Sequence, residues 1–557
     1  MNRSLAAGLL AVALGAAVCA GGAGAGTAPT APVEHRIGVR AVDGQGEFFD
    51  RSTAETWTPR GFNHWRWFRH NGYLMNGAFR AGSDQIEHAE ADLAEMASYG
   101  YNAVRIWVSA CFDDAPGCLV GPDGELQPEY LDNVARYLRA AKEHGIVVMF
   151  TVDDIVGPGR YDQGAQHCCD EWRGFNLIDL TEGGIADQLR FWDDLITGLI
   201  AADAPLDAIW AYELRNEHFL EADQPPFGVL DEVTTANGET YRISDPAGRQ
   251  AMIDDGLAHW ARTLTQHIKS LDPTALVTVG FFPSAQGPVD TGEDRRLVDP
   301  RPIVGEIDFA DYHFYPGLGP LGWEALWPNS LLTDAVDQPI VLGEVGAFRE
   351  AYDTPEEAIT AYTVTIGQAC RTGLDGYLGW VWANLGYYGE AWDAVGDDGA
   401  IAAALSPAAF PDPCTPPLPA TGNLAYEQPA TASMFEDTDE FTAPPRNAVD
   451  GSEATWWTAP AGGPQWIEID LGAPSSVDRL RMITELGADT PLAVDVELLD
   501  AGRAVVAEHR FETTEPVPRL VLEHTFPAPV GGVRFVRATT FRDAWIIWHE
   551  VEVYGTR

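Results

Sequence analysis

Asp207-Ala-Ile-Trp-Ala-Tyr-Glu-Leu-Arg-Asn-Glu217 is the stretch on which the reading of this chain turns. Its first half is a short apolar run of the kind that forms a strand buried on both faces, and it becomes polar only at Arg215-Asn216-Glu217. A carboxylate is therefore expected at the carboxyl end of a core strand. In a barrel of parallel strands that end is the rim where the loops build the active site. Taken alone, Asn-Glu reads equally well as a solvated loop. A second stretch repeats the design: Pro339-Ile-Val-Leu-Gly-Glu344-Val-Gly346 is a β-branched run ending in one carboxylate, with flanking glycines that let other groups approach closely. Two strands that each carry one Glu to the same rim make a carboxylate pair. Such a pair can hydrolyse a glycosidic bond, one carboxylic acid protonating the leaving oxygen while the other carboxylate attacks or stabilises the oxocarbenium-like sugar.

Outward from these two stretches the same unit recurs. Thr58-Pro-Arg-Gly-Phe-Asn63-His64-Trp65 reads as a first short strand. The spacing of Ile86, Ala89, Leu93 and Met96 predicts a helix over 84–99, with Ser83 placed to cap it and Gly100 to stop it. Asn102-Ala-Val-Arg105-Ile-Trp107-Val is the second strand. An Arg inside it is costly unless a carboxylate meets it, so a partner facing into the barrel is expected. Pro128 opens a helix that runs to Gly145, and Ile146-Val-Val-Met-Phe150 is a buried strand closing at Asp153-Asp154. Helical stretches over 185–200, 252–268 and 356–372 then alternate with strands at 207–217, 275–279, 307–315, 339–346 and 376–382. Eight strands alternating with helices give an α/β fold, a (β/α)₈ TIM barrel over 55–405 after a lead at 26–54, with insertions near 156–182 and 218–248. A doubly wound open sheet is the alternative, but no Gly-rich phosphate turn follows the first strand.

Residues 406–422 are proline-rich and read as a linker. They end in Leu418-Pro-Ala-Thr-Gly422, a cell-wall sorting pattern that lacks the apolar tail such a signal needs. From 423 to 557 the helical period vanishes. Short alternating runs such as Trp466-Ile-Glu-Ile-Asp-Leu471 and Val494-Asp-Val-Glu-Leu498 predict an all-β jelly-roll sandwich.

Composition narrows the partners. A formal charge of −48 argues against nucleic acid and anionic membrane surfaces, and no run after the first residues is apolar enough to span a bilayer. Residues 1–25 read as a secretory signal: Arg3, the apolar run Leu5 to Val18, then Ala23-Gly24-Ala25. The mature protein is thus expected to be secreted, extracellular and monomeric. Cys19 lacks the small residue directly before it that a lipoprotein signal has. Six of the seven cysteines lie beyond the signal, so disulfides are expected: Cys111 and Cys118 bracket a Pro116-Gly117 loop and read as a pair, a Cys370 to Cys414 bond would tie the linker to the first domain, and the sequence assigns no partners to the adjacent Cys168 and Cys169. His167-Cys168-Cys169-Asp170 has metal-ligating chemistry, but no second cluster completes a four-ligand set.

The barrel resembles the retaining glycoside hydrolases of the clan that contains cellulases and β-mannanases, most closely family 5, over roughly residues 55–395. In that family an Arg ends the second strand (Arg105), and an Asn-Glu pair ends the fourth (Asn216, Glu217), the Glu being the acid/base. A His-x-Tyr follows the sixth (His313, Tyr315), the nucleophile ends the seventh (Glu344), and a Trp on the eighth forms the sugar platform (Trp380 or Trp382). Asn63 and His64 at the first strand's end join them as candidates for substrate binding. The chain departs from the family in having His218 where a Pro usually follows Asn-Glu, and Asp153-Asp154 where a His is frequent. The segment after 423 looks like a discoidin, or factor 5/8 type C, carbohydrate-binding module. The matching residues are Asn447-Ala-Val-Asp-Gly451, Thr455-Trp456, Gln465 to Gly472 and Glu550-Val-Glu-Val-Tyr-Gly555. In such modules a structural Ca²⁺ often lies near the Asp-Gly turn and the last Glu, which makes Asp450, Thr455 and Glu550 its candidate ligands, hard oxygen donors of the kind calcium takes. Trp545 and Arg542 are candidate sugar contacts of that module.

The resemblance implies a retaining β-glycoside hydrolase of a β-mannan or β-glucan type polysaccharide or oligosaccharide. It needs no cofactor for catalysis, and Arg105 and Tyr315 are expected to hold Glu344 ionised while burial raises Glu217. Two other readings use the same residues. A non-catalytic surface lectin on a decayed barrel would be expected to have lost one carboxylate. An exo-acting glycosidase or transglycosidase would differ only in how the loops close the cleft.

Overall fold

The computed structural model describes residues 34–557 except 43, 71–72, 109–115, 122–123, 153–160, 162–175, 221–223, 229, 283–297, 318–322, 328–329, 334–336, 385–390, 415–421, 427, 436–442, 452–454, 460–462, 485–490, 514–519 and 543. The signal segment, Cys111, Asp153-Asp154, the 167–170 cluster and most of the sorting pattern lie outside the described residues.

The apolar runs become a closed barrel of eight parallel strands: Arg60–His64, Ala103–Trp107, Val147–Thr151, Ile209–Glu213, Leu276–Phe281, Phe309–Phe314, Ile340–Val345 and Tyr377–Gly379. Each strand pairs with the next, and the eighth returns to the first. Helices Gln85–Tyr99, Pro128–Glu143, Glu182–Ala201, Pro246–Leu271 and Pro355–Arg371 surround it. Their buried residues follow the helical period: Ile86, Ala89, Leu93 and Met96 on the first. That helix is preceded by Asp84 without a side-chain cap, and the Ser83 hydroxyl donates to the Arg80 carbonyl, so Ser83 closes the preceding turn and does not cap the helix. Thr354 and Glu357 form a full capping box on the Pro355–Arg371 helix.

The amino-terminal lead is an antiparallel hairpin, Ile37–Val42 with Gln45–Asp50. Phe48, Ile37 and the following Trp57 join Met149, Trp210, Leu276 and Phe309 in one apolar cluster built from the starts of the strands. The hairpin thus closes the barrel's amino end, which frees the interior above it for polar residues.

The supposed linker begins as part of the barrel. Phe410 is fully buried in the barrel core, Arg60 donates to the Phe410 and Pro411 carbonyls, and Cys370 is disulfide-bonded to Cys414. Cys118 is disulfide-bonded as well. Beyond, Ala430–Ala432, Gly463–Thr484, Leu520–Arg542, Leu492–Leu499 and Val505–Thr513 form an antiparallel sheet in that spatial order, with Glu550–Thr556 also pairing the long second strand. A smaller pair, Trp457–Ala459 with Ile546–Trp548, covers it, and Trp457 and Trp548 are fully buried between them. Among the described residues no helix is long and apolar enough to cross a membrane.

Candidate active site

Period-two alternation decides what enters the barrel. In the first strand Asn63 points inward, and its amide donates 2.8 Å to the Gly343 carbonyl. From the second strand Arg105 points inward with no exposed surface. Its guanidinium is shared out completely: Nε donates 2.7 Å and Nη2 3.1 Å to Glu213, Nη1 2.9 Å to Asn63 and 2.6 Å to Glu344, and Nη2 2.5 Å to Asn216. Its plane also lies 4.4 Å from the Trp107 ring. The carboxylate that the sequence demanded for Arg105 is thus not one but three, Glu213, Glu344 and Asp311, the last at 3.5 Å. Burial pulls the arginine's pKa down, but these three charges more than reverse it.

Glu213 and Asp311 were not anticipated. Each is a single charge inside an otherwise apolar run, the same signal that singled out Arg105. Glycines make room for them. A Cβ on Gly343 would come within 1.7 Å of an Asp311 oxygen, and one on Gly280 within 2.5 Å of Glu213 and 1.6 Å of the Asn216 carbonyl. Burial pushes the Glu213 carboxyl up to about 8 against the pull of Arg105, with Asp311 adding to the rise. Neither Asp311 oxygen makes a hydrogen bond; Oδ2 lies 3.5 Å from Arg105 Nε and 3.6 Å from His313 Nε2.

Above this layer lies the rim. The fourth strand ends at Glu213, so Glu217 stands four residues beyond it, on a segment still pinned by backbone bonds to the third and fifth strands. Its carboxylate lies 3.1 Å from His313 Nδ1, and the same nitrogen is 3.6 Å from Glu344. Oxygens of Glu217 and Glu344 lie within 4.8 Å of each other. Glu344 accepts from Arg105 on one oxygen and from the Tyr315 hydroxyl on the other. Burial pushes its carboxyl above the ordinary carboxylate range, while His313 and Arg105 pull it back, Glu217 adds to the rise and Tyr315 lowers it. The expected net lowering is therefore reversed by burial, although two donors aimed at two oxygens suit the ionised form. Burial lowers His313, but Glu344 and Asp311 more than compensate and raise it to about 10. In its charged form it would donate from Nδ1 to Glu217.

Two candidates fall outside the site. His64 follows Asn63 on the strand and so faces the helices, where it is fully buried between Tyr137 at 2.7 Å and Asp92 at 2.9 Å. Trp382 is fully buried against Phe62, Tyr99 and Tyr101. The eighth strand stops at Gly379, so strand alternation no longer applies at 380–382, and Trp380 and Trp382 do not share a direction. Trp380 stays at the rim, 6.4 Å from Tyr315, and continues into Trp107 and Trp65 at 5.7 and 6.3 Å. This aromatic wall draws on the first, second and eighth strands, and Trp65 and Trp107 were legible only as ends of strands.

Glu213, Asp311 and His313 have metal-binding spacing, but Arg105 lies among them, and a guanidinium stands where a cation would. In the sandwich the situation differs. The Thr455 hydroxyl lies 2.9 and 2.8 Å from the Asp450 oxygens, and Gly451 N–H donates 2.9 Å to Glu550, whose second oxygen is buried without a partner. Burial, then Asp450 and Glu552, push the Glu550 carboxyl well up. An orphaned buried carboxylate oxygen beside a second carboxylate and a hydroxyl is a donor set that fits calcium. Trp545 is about half exposed.

No curated protein matches this chain. Among solved structures, an endo-1,4-beta-mannanase from Rhizomucor miehei is 16% identical with a TM-score of 0.48, covering 67% of this chain and 99% of that one. The exo-beta-1,4-mannosidase Op5Man5 from Opitutaceae bacterium strain TAV5 is 20% identical with a TM-score of 0.42, covering 66% and 58%. A chitosan-binding module from a chitosanase/glucanase of Paenibacillus sp. IK-5 is 27% identical with a TM-score of 0.20, covering 24% and 98%. Residues 429–551 match the family model of the F5/8 type C domain.

Proposed function

We propose that the chain is a secreted, retaining β-glycoside hydrolase that acts on β-mannan or β-glucan chains by double displacement and carries an appended carbohydrate-binding module. The observation that carries this reading is the approach of Glu217 and Glu344 oxygens to within 4.8 Å. Retaining enzymes hold their carboxyl groups about 5–5.5 Å apart, and inverting ones leave about 6.5–9.5 Å for a water. Glu344, immobilised by Arg105 and Tyr315 with both oxygens fixed, attacks the anomeric carbon. Glu217, whose side chain is 27% exposed at the rim, gives its proton to the glycosidic oxygen and then takes one from the incoming water. Asn216, held by Arg105, is placed for the sugar hydroxyl next to the reacting carbon, and Trp380 offers its face to the ring. Asp450, Thr455 and Glu550 would hold Ca²⁺, whose charge would let both carboxylates stay ionised.

Retention of both carboxylates, with the cation and hydroxyl that immobilise one of them, favours an enzyme over a lectin on a decayed barrel. The test is a screen on mannan, β-glucan, xylan and aryl β-glycosides, with product configuration followed by NMR. Glu344→Gln should lose turnover by at least about 10⁴-fold. Inverted product, or a Glu344→Gln protein that keeps most of its activity, would sink the reading.

A further inference from the structure

We propose that Asp179 is a positioning residue for the acid/base, gripping the segment that carries Glu217 from outside the barrel; the inference rests on the reading of Glu217 given above. Glu217 lies past the end of its strand, so its placement depends on what holds residues 214–218. The backbone is fixed by Asn216 N–H to the Val152 carbonyl, His218 N–H to the Gly280 carbonyl and Gly280 N–H to the Arg215 carbonyl. The side chains then divide. Asn216 and Glu217 face the site, on Arg105 and His313. Arg215 and His218, the residues on either side of them, turn away, and both end on one carboxylate oxygen of Asp179, at 3.4 and 3.1 Å.

All three are buried, Asp179 to 1% exposure, so the ties are not diluted by solvent. Asp179 comes from the short helix Leu177–Leu180 in the insertion after the third strand, and is itself held. Its other oxygen accepts 3.0 Å from Gln188, whose amide oxygen accepts from Trp260, and the His218 ring lies 4.8 Å from the Trp260 ring. A pair flanked on both sides by side chains converging on one buried anion cannot rotate about the strand axis without breaking both ties. The clamp therefore fixes the direction in which the Glu217 carboxyl points and touches neither the sugar nor Glu344.

The test exploits leaving-group chemistry, because an acid in the wrong place matters only when the departing oxygen needs a proton. kcat/KM, which reports the bond-breaking step, would be measured for Asp179→Asn in the full chain on a dinitrophenyl β-glycoside and on an alkyl or oligosaccharide β-glycoside of the same sugar. Loss of roughly 10²-fold on the poor leaving group with less than about threefold on the dinitrophenyl substrate is expected. His218→Ala, which cuts one tie, should shift the same ratio by less. Equal losses on both substrates, or no loss on either, in both variants would overturn the clamp. Glu344→Gln run beside them separates the outcomes: if it stays active the hydrolase reading has failed, and if it is dead while the ratio is unmoved only the clamp has.

Discussion

The barrel and the sandwich each bring together two carboxylates from distant parts of the chain, and they deal with the repulsion in opposite ways. In the barrel, Glu344 meets Arg105 at 2.6 Å, and His313 Nδ1 lies 3.1 Å from Glu217 and 3.6 Å from Glu344. In the sandwich, Glu550 meets a backbone N–H and the carboxylate of Asp450, with one oxygen left over. A buried carboxylate met by a fixed cation can keep its charge as folded; one met by a neutral donor and a like charge has to take up a proton or a metal ion. The barrel supplies cations to its carboxylates from its own strands. In the sandwich a Ca²⁺ held by Asp450, Thr455 and Glu550 would take that place.

The contrast breaks most visibly at Arg105. Arg105→Met leaves Glu213, Asp311 and Glu344 buried with one cation fewer, and breaking a buried pair costs about 3–5 kcal/mol. Urea unfolding at pH 7 is expected to show the barrel destabilised by at least that much, with activity lost. Arg105→Lys should fail nearly as badly, since a point charge cannot serve Glu213, Glu344, Asn63 and Asn216 from one fork. A stable Arg105→Met barrel at neutral pH would mean that internal cations are not what holds its carboxylates.

A smaller effect should separate the two halves by metal. Adding Ca²⁺ to about 100 times its dissociation constant should stabilise the sandwich by about 2.7 kcal/mol, read as a shift of one unfolding transition. Glu550→Gln should abolish the shift and, without calcium, be more stable than the parent, because it removes a buried carboxyl beside Asp450. The barrel transition should not move. A calcium shift that survives Glu550→Gln would place the ion elsewhere.

The sequence showed what depends on pattern and hid what depends on direction. Eight apolar runs spaced by amphipathic helices are enough for a closed barrel, and a charge inside an apolar run, as at Arg105, announces an inward-facing partner. The same rule applied to Glu213 and Asp311 finds the whole buried layer; they are masked because the polar end of each run, a few residues on, carries the stronger signal. His64 was misplaced because neighbours on a strand face opposite ways, so Asn63 and His64 cannot both enter the barrel. Trp382 was misplaced because the eighth strand ends three residues earlier, and nothing local in Gly376-Tyr-Leu-Gly-Trp380-Val-Trp382 marks that end. The hairpin that seals the floor is local in sequence, but its role is visible only once Phe48 meets Trp210 and Phe309.

The mildest difference between the halves is in their response to pH. Asp375 at the start of the eighth strand is pushed up to about 7 by burial, and Glu213 and His313 stand at about 8 and 10. For each, the folded state binds its proton more tightly than the unfolded state does. The stability this gives is complete below the unfolded values of 3.8, 4.5 and 6.5 and is lost as pH rises through the folded ones. The barrel should therefore lose stability between pH 6 and pH 9, read as a fall in its Tm. Without metal the sandwich should slope the same way, since Glu550 is raised by burial and by Asp450. With calcium bound, the ion takes the place of the proton and the sandwich's slope should flatten, while the barrel's, whose cations are built in, should not change. Tm measured at pH 6 and pH 9, with calcium and with chelator, gives four values per transition. A barrel slope that also vanished with calcium would remove the distinction between the two ways of holding paired carboxylates.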